Sequence, residues 1–246
     1  MGAILTGKGI FKAFEGDVQV LKDVNITIEE GEFLVVMGPS GSGKSTLLYA
    51  LSGMDTIDQG QVIFDGMDIT VLKDQMLSNI RRSKMGFIFQ NSSLLKNLNL
   101  IDNIILPGTY DKKIKRHDLI SKGKNLMEEV GLKGLENREI SQVSGGQLQR
   151  ASICRALIND PLIIFGDEPT GALNSKNTDE IIKLLSQINS QGTTIMLVSH
   201  DPKVAKNSHR VVFMKDGKLV DEIKLLGLGE DERQRLILKK MDELDI

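Results

Sequence analysis

One stretch constrains the fold of this 246-residue chain more than any other, because it joins an apolar run to a glycine-rich segment. The run from Phe33 to Met37 is continuously hydrophobic, as in a strand buried on both faces. The segment after it matches the pattern G-x-x-x-x-G-K followed by Ser or Thr, and a helical pattern continues from Ser45 to Leu51. The members of the segment are Gly38, Pro39, Ser40, Gly41, Ser42, Gly43, Lys44 and Ser45. A strand, a glycine loop and a helix in this order predict a phosphate-binding loop.

The chemistry of this loop explains its residue types. Glycines let the backbone curl so that successive N–H groups face an anion, and the start of the following helix adds positive partial charge. Lys44 would supply a point charge for the β- and γ-phosphates. The hydroxyl of Ser45 is a candidate Mg²⁺ ligand because Mg²⁺ prefers oxygen, and the next residue, Thr46, is also expected to contact the nucleotide. By itself the motif predicts only that a nucleoside triphosphate binds.

Composition excludes several other classes of protein. The chain is 40% hydrophobic and 26% charged, with a formal net charge of -2, which is typical of a globular domain and not of a disordered or fibrous chain. A charge near zero argues against broad electrostatic binding of nucleic acid, so no nucleic-acid partner is expected. The single cysteine, Cys154, predicts a small buried residue and no internal disulfide. With no long apolar segment and no evident signal peptide, we expect a soluble chain that reaches a membrane only through a partner.

Two further apolar runs end in polar side chains suited to catalysis. The run from Leu162 to Phe165 leads to Asp167 and Glu168. Asp167 could hold Mg²⁺ and Glu168 could polarise an attacking water, although an acidic turn after a strand is a common alternative. The run from Thr194 to Val198 leads to His200, whose imidazole could hold that water in place. The other two histidines, His117 and His209, lack such a context and are assigned to the surface.

The remaining pattern predicts an α/β fold with a mainly parallel core sheet, an N-terminal antiparallel β subdomain and a helical subdomain. The expected division is a catalytic core formed by residues 1–90 and 144–229, a helical subdomain over 91–143 and a helical tail over 230–246. Within the first 30 residues we expect three antiparallel strands. The expected elements are strands Ile10–Phe14, Val18–Leu21, Val24–Ile28, Gln61–Phe64 and Gly86–Phe89, helix Thr178–Asn189, and a hairpin turning at Asp216-Gly217.

One motif indicates the family. The run Val143-Ser144-Gly145-Gly146-Gln147, continued by Leu148-Gln149-Arg150, resembles the signature motif of ATP-binding cassette (ABC) ATPases, with Val143 where Leu is usual. The order of phosphate loop, signature, acidic strand and histidine is similar to that family over essentially the whole chain, whereas a P-loop kinase or a small GTPase would lack the signature. The resemblance implies a P-loop NTPase of the ABC cassette type that hydrolyses ATP with Mg²⁺.

The resemblance also implies a second copy of the chain. Ser144, Gly145, Gly146 and Gln147 would face the ATP held by the partner protomer, because N–H groups at the start of a helix form an anion site. Two cassettes would then form a head-to-tail dimer around two ATP molecules.

Three more roles follow from the resemblance. Phe14 stands where the family places an aromatic residue that stacks on adenine, usually Tyr; packing within the N-terminal sheet is the alternative. Gln90 matches the glutamine that touches Mg²⁺ and the water. Asn174 stands where an Asp is expected, which implies altered communication across the dimer.

Several segments are similar to the branch that includes macrolide exporters, lipoprotein-release ATPases and bacitracin-resistance transporters. They are Gly86–Gln90, Leu94-Leu95, Asn103-Ile104, Leu106-Pro107 and Asp167–Leu173, and the run Gly171–Lys176 most resembles the bacitracin type. This implies a separate multi-span permease docked through residues 91–143, a peripheral place on the cytoplasmic face of the cell membrane, and work on antimicrobial peptides, lipids or lipoproteins.

Some alternatives stay open at this point. The chain could be a soluble ABC ATPase without a permease, or a nucleotide-binding regulatory subunit without turnover, although Glu168 and His200 argue against the latter. The basic run from Lys112 to Arg116 could face anionic lipid or be a solvated helix start. The tail over 230–246 could contact a partner or pack on the surface.

Overall fold

The computed structural model describes residues 2–14, 16 and 18–246. These residues form strands and helices that alternate along most of the chain. The strands are β1 (Ala3–Phe14), β2 (Val18–Glu29), β3 (Phe33–Met37), β4 (Gln59–Phe64), β5 (Met67–Asp68), β6 (Met85–Phe89), β7 (Ile163–Asp167), β8 (Thr194–Val198), β9 (Arg210–Lys215) and β10 (Lys218–Lys224). The helices are α1 (Lys44–Leu51), α2 (Asp74–Lys84), α3 (Leu100–Ile105), α4 (Arg116–Glu129), α5 (Gly145–Leu157), α6 (Ser175–Ser190), α7 (Pro202–Ala205) and α8 (Glu230–Leu244), with short 3-10 helices at Leu106–Tyr110 and Ile140–Gln142.

The chain divides into two compact units. The first combines the chain up to Leu77 with Ile188–Ile246, and the second is Ser78–Gln187. The first unit contains an antiparallel sheet with strand order β2, β1, β4, β5. The expected N-terminal antiparallel subdomain is therefore confirmed, together with the α/β fold class.

The number of strands expected before residue 30 is wrong. Val18 to Glu29 is one strand that stays paired with β1, because the expected break near Asp23 is a β-bulge. Asp23 has φ of 55°, and the pairing shifts between Ile10 with Val24 and Lys12 with Leu21. A bulge takes up an extra residue without ending the strand.

Strand β3 lies at the centre of the parallel strands of the first unit. It runs parallel to β8 on one side and to β9 on the other, and all five of its residues are buried, as its apolar run predicts. Parallel pairing aligns Val36 with Val198, so the segments that follow β3 and β8 leave the sheet at the same edge. The expected hairpin is confirmed between β9 and β10, where Asp216 and Gly217 both have positive φ, as a type I′ turn requires.

An arginine cluster joins several strands of the first unit. Arg210 donates from Nε to Glu32 at 2.7 Å, from Nη1 to Glu222 at 2.8 Å, and from Nη2 to the carbonyl oxygen of Thr27. The side chains of Arg210 and Glu32 are only 15% and 10% exposed. This cation therefore fastens the end of β2 and the start of β3 to the hairpin of β9 and β10.

The second unit combines a parallel strand pair with helices. Strands β6 and β7 pair from Met85 with Ile163 to Phe89 with Asp167. Helices α3, α4 and α5 pack around an apolar cluster that includes the fully buried Cys154, as expected, and burial raises the pKa of its thiol to about 12.

The two histidines that were expected at the surface differ from each other in the structure. The side chain of His117 is 91% exposed, as predicted. His209 is not a surface residue: it is half-buried, and its Nδ1 accepts a hydrogen bond from the N–H of Phe33 at 3.2 Å. The start of β3 supplies this donor, 176 residues away along the chain. Across the described residues, the helices are too short or too polar to span a membrane.

Candidate nucleotide-binding and catalytic site

The glycine loop between β3 and α1 has a backbone that only glycine fits at key positions. Gly41 and Gly43 have φ of 80° and 102°, in the left-handed region. At Gly38 a Cβ would lie 2.1 Å from the carbonyl oxygen of Met214, so no side chain has room there. The crest of the loop, Pro39 to Gly41, is exposed. The loop therefore presents its backbone to solvent with no side chain larger than Pro or Ser in the way.

Lys44 is held directly beneath this loop. Its Nζ donates to the carbonyl oxygens of Gly38 at 2.9 Å and Pro39 at 2.8 Å, and the residue is 6% exposed. Ser45 and Thr46 lie half-buried in the first turn of α1. Within the described part of the chain, the buried Oγ of Ser42 has no hydrogen-bond partner. The positive charge of Lys44 and the unpaired Oγ of Ser42 therefore lie below an open loop, where a bound anion could accept hydrogen bonds from both.

Two other predicted residues lie in the first unit. Phe14 is the last residue of β1 and is 50% exposed, so it is not packed into the N-terminal sheet. His200 is exposed two residues after β8, at the sheet edge from which the glycine loop also leaves. Both side chains can therefore meet a ligand from solvent.

In the second unit, Gln90 and Glu168 come together. Each follows directly after a strand, and the last residues of those strands, Phe89 and Asp167, are paired. A Cβ at Gly171 would lie 2.8 Å from Nε2 of Gln90 and 3.3 Å from Oε2 of Glu168. The carboxamide and the carboxylate therefore converge on one glycine. Glu168 has φ of 45°, an uncommon conformation for a residue with a side chain and one that recurs at functional sites.

The signature residues form the start of α5. The Oγ of Ser144 accepts from the N–H of Gln147 at 3.3 Å, and the side chain of Gln147 accepts from the N–H of Ser144 at 2.8 Å. This reciprocal capping box uses the side chains of Ser144 and Gln147 within the chain. The N–H groups of the first turn have no acceptor inside a helix, so those of Gly145 and Gly146 are the donors that can face an anion. Ser144 and Gly145 are exposed.

Asn174 stands at the start of α6. Its Oδ1 accepts from the N–H of Asn177 at 3.0 Å, as a helix-capping side chain does. A Cβ at Gly146 would lie 2.9 Å from Cγ of Asn177, so the signature helix and α6 are in close contact. An Asp at position 174 could accept the same bond. Asn174 in place of the expected Asp therefore keeps the helix cap and replaces one carboxylate oxygen with an amide donor.

Sequence reasoning missed the parts that Gly171 and Lys12 play. Gly171 was visible only as a member of a longer motif, and its nearness to Gln90 depends on the pairing of β6 with β7, which are far apart in sequence. Lys12 precedes Phe14 by two residues on β1, and residues at that spacing share a face of a strand. Its Nζ lies 5.4 Å from the centroid of the Phe14 ring. That spacing was the signal that could have found it.

The family described as ABC transporter matches residues 21–171, which is more than half of the chain. The chain belongs to the ABC transporter family. The match includes the glycine loop, the signature and the acidic strand.

Three relatives support the same branch of this cassette family. BceA of Halalkalibacterium halodurans, a bacitracin export ATP-binding protein, is 41% identical over 94% of this chain and 92% of its own length. LolD of Aquifex aeolicus, the ATP-binding protein of a lipoprotein-releasing system, is 39% identical over 91% of this chain and 99% of its own. MacB of Mannheimia succiniciproducens, a macrolide export ATP-binding/permease protein, is 40% identical over 85% of this chain, which spans only 32% of MacB.

Solved structures agree with the fold of this ABC cassette. The dimeric structure of MJ0796, a bacterial ABC transporter cassette, matches with a TM-score of 0.85 and 38% identity over 91% of this chain and 100% of that one. MJ0796 in a post-hydrolysis state bound to ADP and phosphate matches with a TM-score of 0.84. The chain is accordingly an ATP-binding cassette with ATPase activity.

Proposed function

We propose that this cassette hydrolyses ATP to power a separate membrane permease that exports, or acts on, antimicrobial peptides, lipids or lipoproteins. The observation that carries the hydrolytic part is the convergence of Gln90 and Glu168 on Gly171, directly after the acidic strand. The transport part is supported by the bacitracin, macrolide and lipoprotein systems to which the relatives belong.

In this proposal the first unit binds ATP. Phe14 stacks on the adenine base, and Lys44 exchanges its two carbonyl acceptors for phosphate oxygens. The backbone N–H groups of the glycine loop surround the phosphates, which an electropositive helix start favours. The nucleotide contacts are Phe14, Gly38, Pro39, Ser40, Gly41, Ser42, Gly43, Lys44, Ser45 and Thr46.

Hydrolysis then depends on a few polar side chains. Glu168 accepts a proton from the attacking water, and His200 donates a hydrogen bond that holds the water in line. The hydroxyl of Ser45, the carboxylate of Asp167 and the amide oxygen of Gln90 are hard oxygen donors, which is the ligand set that Mg²⁺ prefers. Charge that develops on the transferred phosphoryl group would be neutralised by bound Mg²⁺.

A second copy of the cassette completes the site in this proposal. The donors of Gly145 and Gly146 at the start of α5, with Ser144 and Gln147, face the ATP of the partner protomer. Asn174 takes part in communication between the two sites. The capped, exposed start of α5 and the dimeric structures of MJ0796 support this arrangement.

The permease is expected to dock on residues 91–143, which hold α3 and α4, between the two parts of the catalytic core (1–90 and 144–229). Docking would place the cassette at the cytoplasmic face of the membrane. Each residue of the basic run from Lys112 to Arg116 is exposed, and Arg116 donates to Asp102 at 2.6 Å, so the lysines of this run are the cations available to lipid headgroups or to solvent. In the tail, Ile237 of α8 is buried while most other α8 residues are at least partly exposed.

Two variants and a control test the hydrolytic part. Glu168→Gln should keep ATP binding and lower turnover by about 100-fold or more, because it removes the general base and little else. Lys44→Ala should lose ATP binding at millimolar nucleotide in calorimetry. Glu232→Gln, on the exposed start of α8, should change neither quantity. Unchanged turnover in Glu168→Gln would remove Glu168 from this role.

A pull-down from membranes with the tagged chain tests the permease. Recovery of no multi-span protein would count against this part of the proposal.

A further inference from the structure

Lys12 is a buried lysine whose ammonium group lies over the ring of Phe14. The residue is 7% exposed, and its Nζ is 5.4 Å from the ring centroid. Lysines are rarely buried to this degree unless their charge is paired. The hydrogen-bond partners of Lys12 therefore determine where its ammonium group lies.

Three oxygen acceptors fix the ammonium group in place. Nζ donates to the carbonyl oxygen of Thr56 at 2.7 Å, to Oδ1 of Asp55 at 3.1 Å and to Oγ1 of Thr56 at 3.3 Å. An ammonium group has three N–H donors, so these contacts use all of them. The position of the charge is thus set by the protein alone, before any nucleotide binds.

The strand end that carries Phe14 is fastened to the same segment at a second point. The N–H of Ala13 donates to Oδ2 of Asp58 at 2.6 Å, and the N–H of Asp58 donates to the carbonyl oxygen of Phe11 at 2.9 Å. The segment from Asp55 to Asp58 follows α1, the helix that begins in the glycine loop. The ring and the glycine loop are therefore linked through one short, hydrogen-bonded stretch of chain.

A cation beside the ring also changes what the ring can bind. The faces of aromatic rings carry negative charge, which disfavours direct stacking of one face on another. A cation over one face is attracted to this negative charge and polarises the ring toward itself, which reduces the repulsion that a second ring meets at the other face. Half of the Phe14 surface remains exposed, so a second flat group can still reach the ring. Because the ring is already ordered, binding of the nucleotide does not have to lower the conformational entropy of the Phe14 side chain.

We propose that Lys12 is a positioning residue that orders the Phe14 ring and tunes it as the platform for the adenine base. The inference rests on the proposed function, because it assumes that Phe14 stacks on adenine. Lys12 acts on the base end of the nucleotide and not on its phosphates. Its loss should therefore weaken recognition of the base while the glycine loop still binds phosphate.

The test compares ATP with inorganic tripolyphosphate, which lacks the base, each measured by calorimetry with Mg²⁺. Lys12→Met should raise the Kd for ATP about 5- to 20-fold and leave the Kd for tripolyphosphate within about 2-fold. Lys8→Met is the matched control, because Lys8 lies on the same strand with an exposed side chain; it should change neither Kd. Lys12→Arg keeps a cation beside the ring and should restore most of the affinity for ATP.

A double-mutant cycle asks whether Lys12 acts through Phe14. In a Phe14→Ala background, Lys12→Met should cause no further loss of ATP affinity. The inference is overturned if Lys12→Met leaves the Kd for ATP unchanged, if it weakens both ligands equally, or if its effect is undiminished without the ring. Should Lys12→Met fail to fold, Asp55→Asn, which loosens the same ammonium group, takes its place with the same expectations. A wild-type chain that binds neither ligand would instead overturn the proposed function itself.

Discussion

At the scale of single residues, Gly171 is the position where a small change should separate binding from catalysis. A methyl group there would lie 2.8 Å from the Gln90 carboxamide and 3.3 Å from the Glu168 carboxylate, so one or both must move. We expect Gly171→Ala to lower kcat about 10- to 100-fold, since displacements near 1 Å have effects of that size, while the Kd for ATP stays within about 2-fold. Steady-state turnover and calorimetry measure the two quantities.

Gly229→Ala is the matched control for that substitution. A Cβ at Gly229 meets no atom within 4 Å, and the residue has φ of -67°, which alanine adopts easily. It should leave kcat unchanged. If Gly171→Ala also left kcat unchanged, the convergence of Gln90 and Glu168 would have no part in hydrolysis.

The pKa of His209 predicts how the free energy of unfolding depends on pH. Burial lowers the pKa of its imidazole, the charge of Arg233 lowers it further, and Glu32 opposes the shift. The proton therefore binds more tightly to the unfolded chain, so the free energy of unfolding should fall as the pH drops below the unfolded pKa of about 6.5 and level off below the folded pKa. The neutral form is also the one whose Nδ1 can accept from the N–H of Phe33.

Urea titrations between about pH 5 and pH 7.5 test this pH dependence. His209→Asn keeps an acceptor near the position of Nδ1 and removes the titrating group, so its unfolding free energy should depend less steeply on pH than that of the wild type. His117→Asn is the matched substitution, because it removes an exposed histidine and leaves the contact between His209 and β3 intact. Equal slopes for wild type and His209→Asn would contradict the assignment.

At the scale of elements, the Arg210 cluster should account for much of the connection between β2, β3 and the β9–β10 hairpin. Arg210→Met would remove the cation beside Glu32, whose side chain is 10% exposed, and would leave this carboxylate with the N–H of Glu29, at 2.9 Å, in place of a cation. Breaking such a pair from one side costs about 3–5 kcal/mol. The loss should appear in urea unfolding, whereas Arg235→Met on exposed α8 should stay within about 0.5 kcal/mol. A loss below about 1 kcal/mol for Arg210→Met would show that the cluster is not structural.

The sequence predicts an element well when the residues that cause it lie close together along the chain. The apolar runs of β3 and β8 and the Asp216-Gly217 turn follow from residue types a few positions apart, and the structure confirms them. The break expected near Asp23 was wrong because Asp favours turns and bulges alike, and only the partner strand decides between them.

Side-chain environments were harder to predict than elements. His209 was assigned to the surface because nothing near it in sequence reveals that the N–H of Phe33 reaches its ring. The glycine loop could be recognised from its own residues, whereas the meeting of Gln90 and Glu168 at Gly171 requires the pairing of β6 with β7. Sequence therefore predicts a site best where one short segment builds it.

At the scale of the whole molecule, the proposal requires that one cassette completes the site of another, and Ser144 is where this can be tested. Ser144→Arg would place a long side chain at the exposed start of α5, over the N–H groups of Gly145 and Gly146, and would remove the capping box. Because the glycine loop of the same chain is untouched, we expect ATP to bind with unchanged affinity while the ATP-dependent dimer is lost.

The dimer is best observed in a Glu168→Gln background, where slow hydrolysis should let ATP-bound dimers accumulate for light scattering. Ser141→Arg, at an exposed position three residues before Ser144, controls for an added positive charge and should still dimerise. The lost cap should cost only about 1 kcal/mol of stability, which circular dichroism can verify. If the Ser144→Arg chain dimerised with ATP as readily as the control, the start of α5 would not face the partner's nucleotide, and clamping between two copies could not be how this cassette performs work.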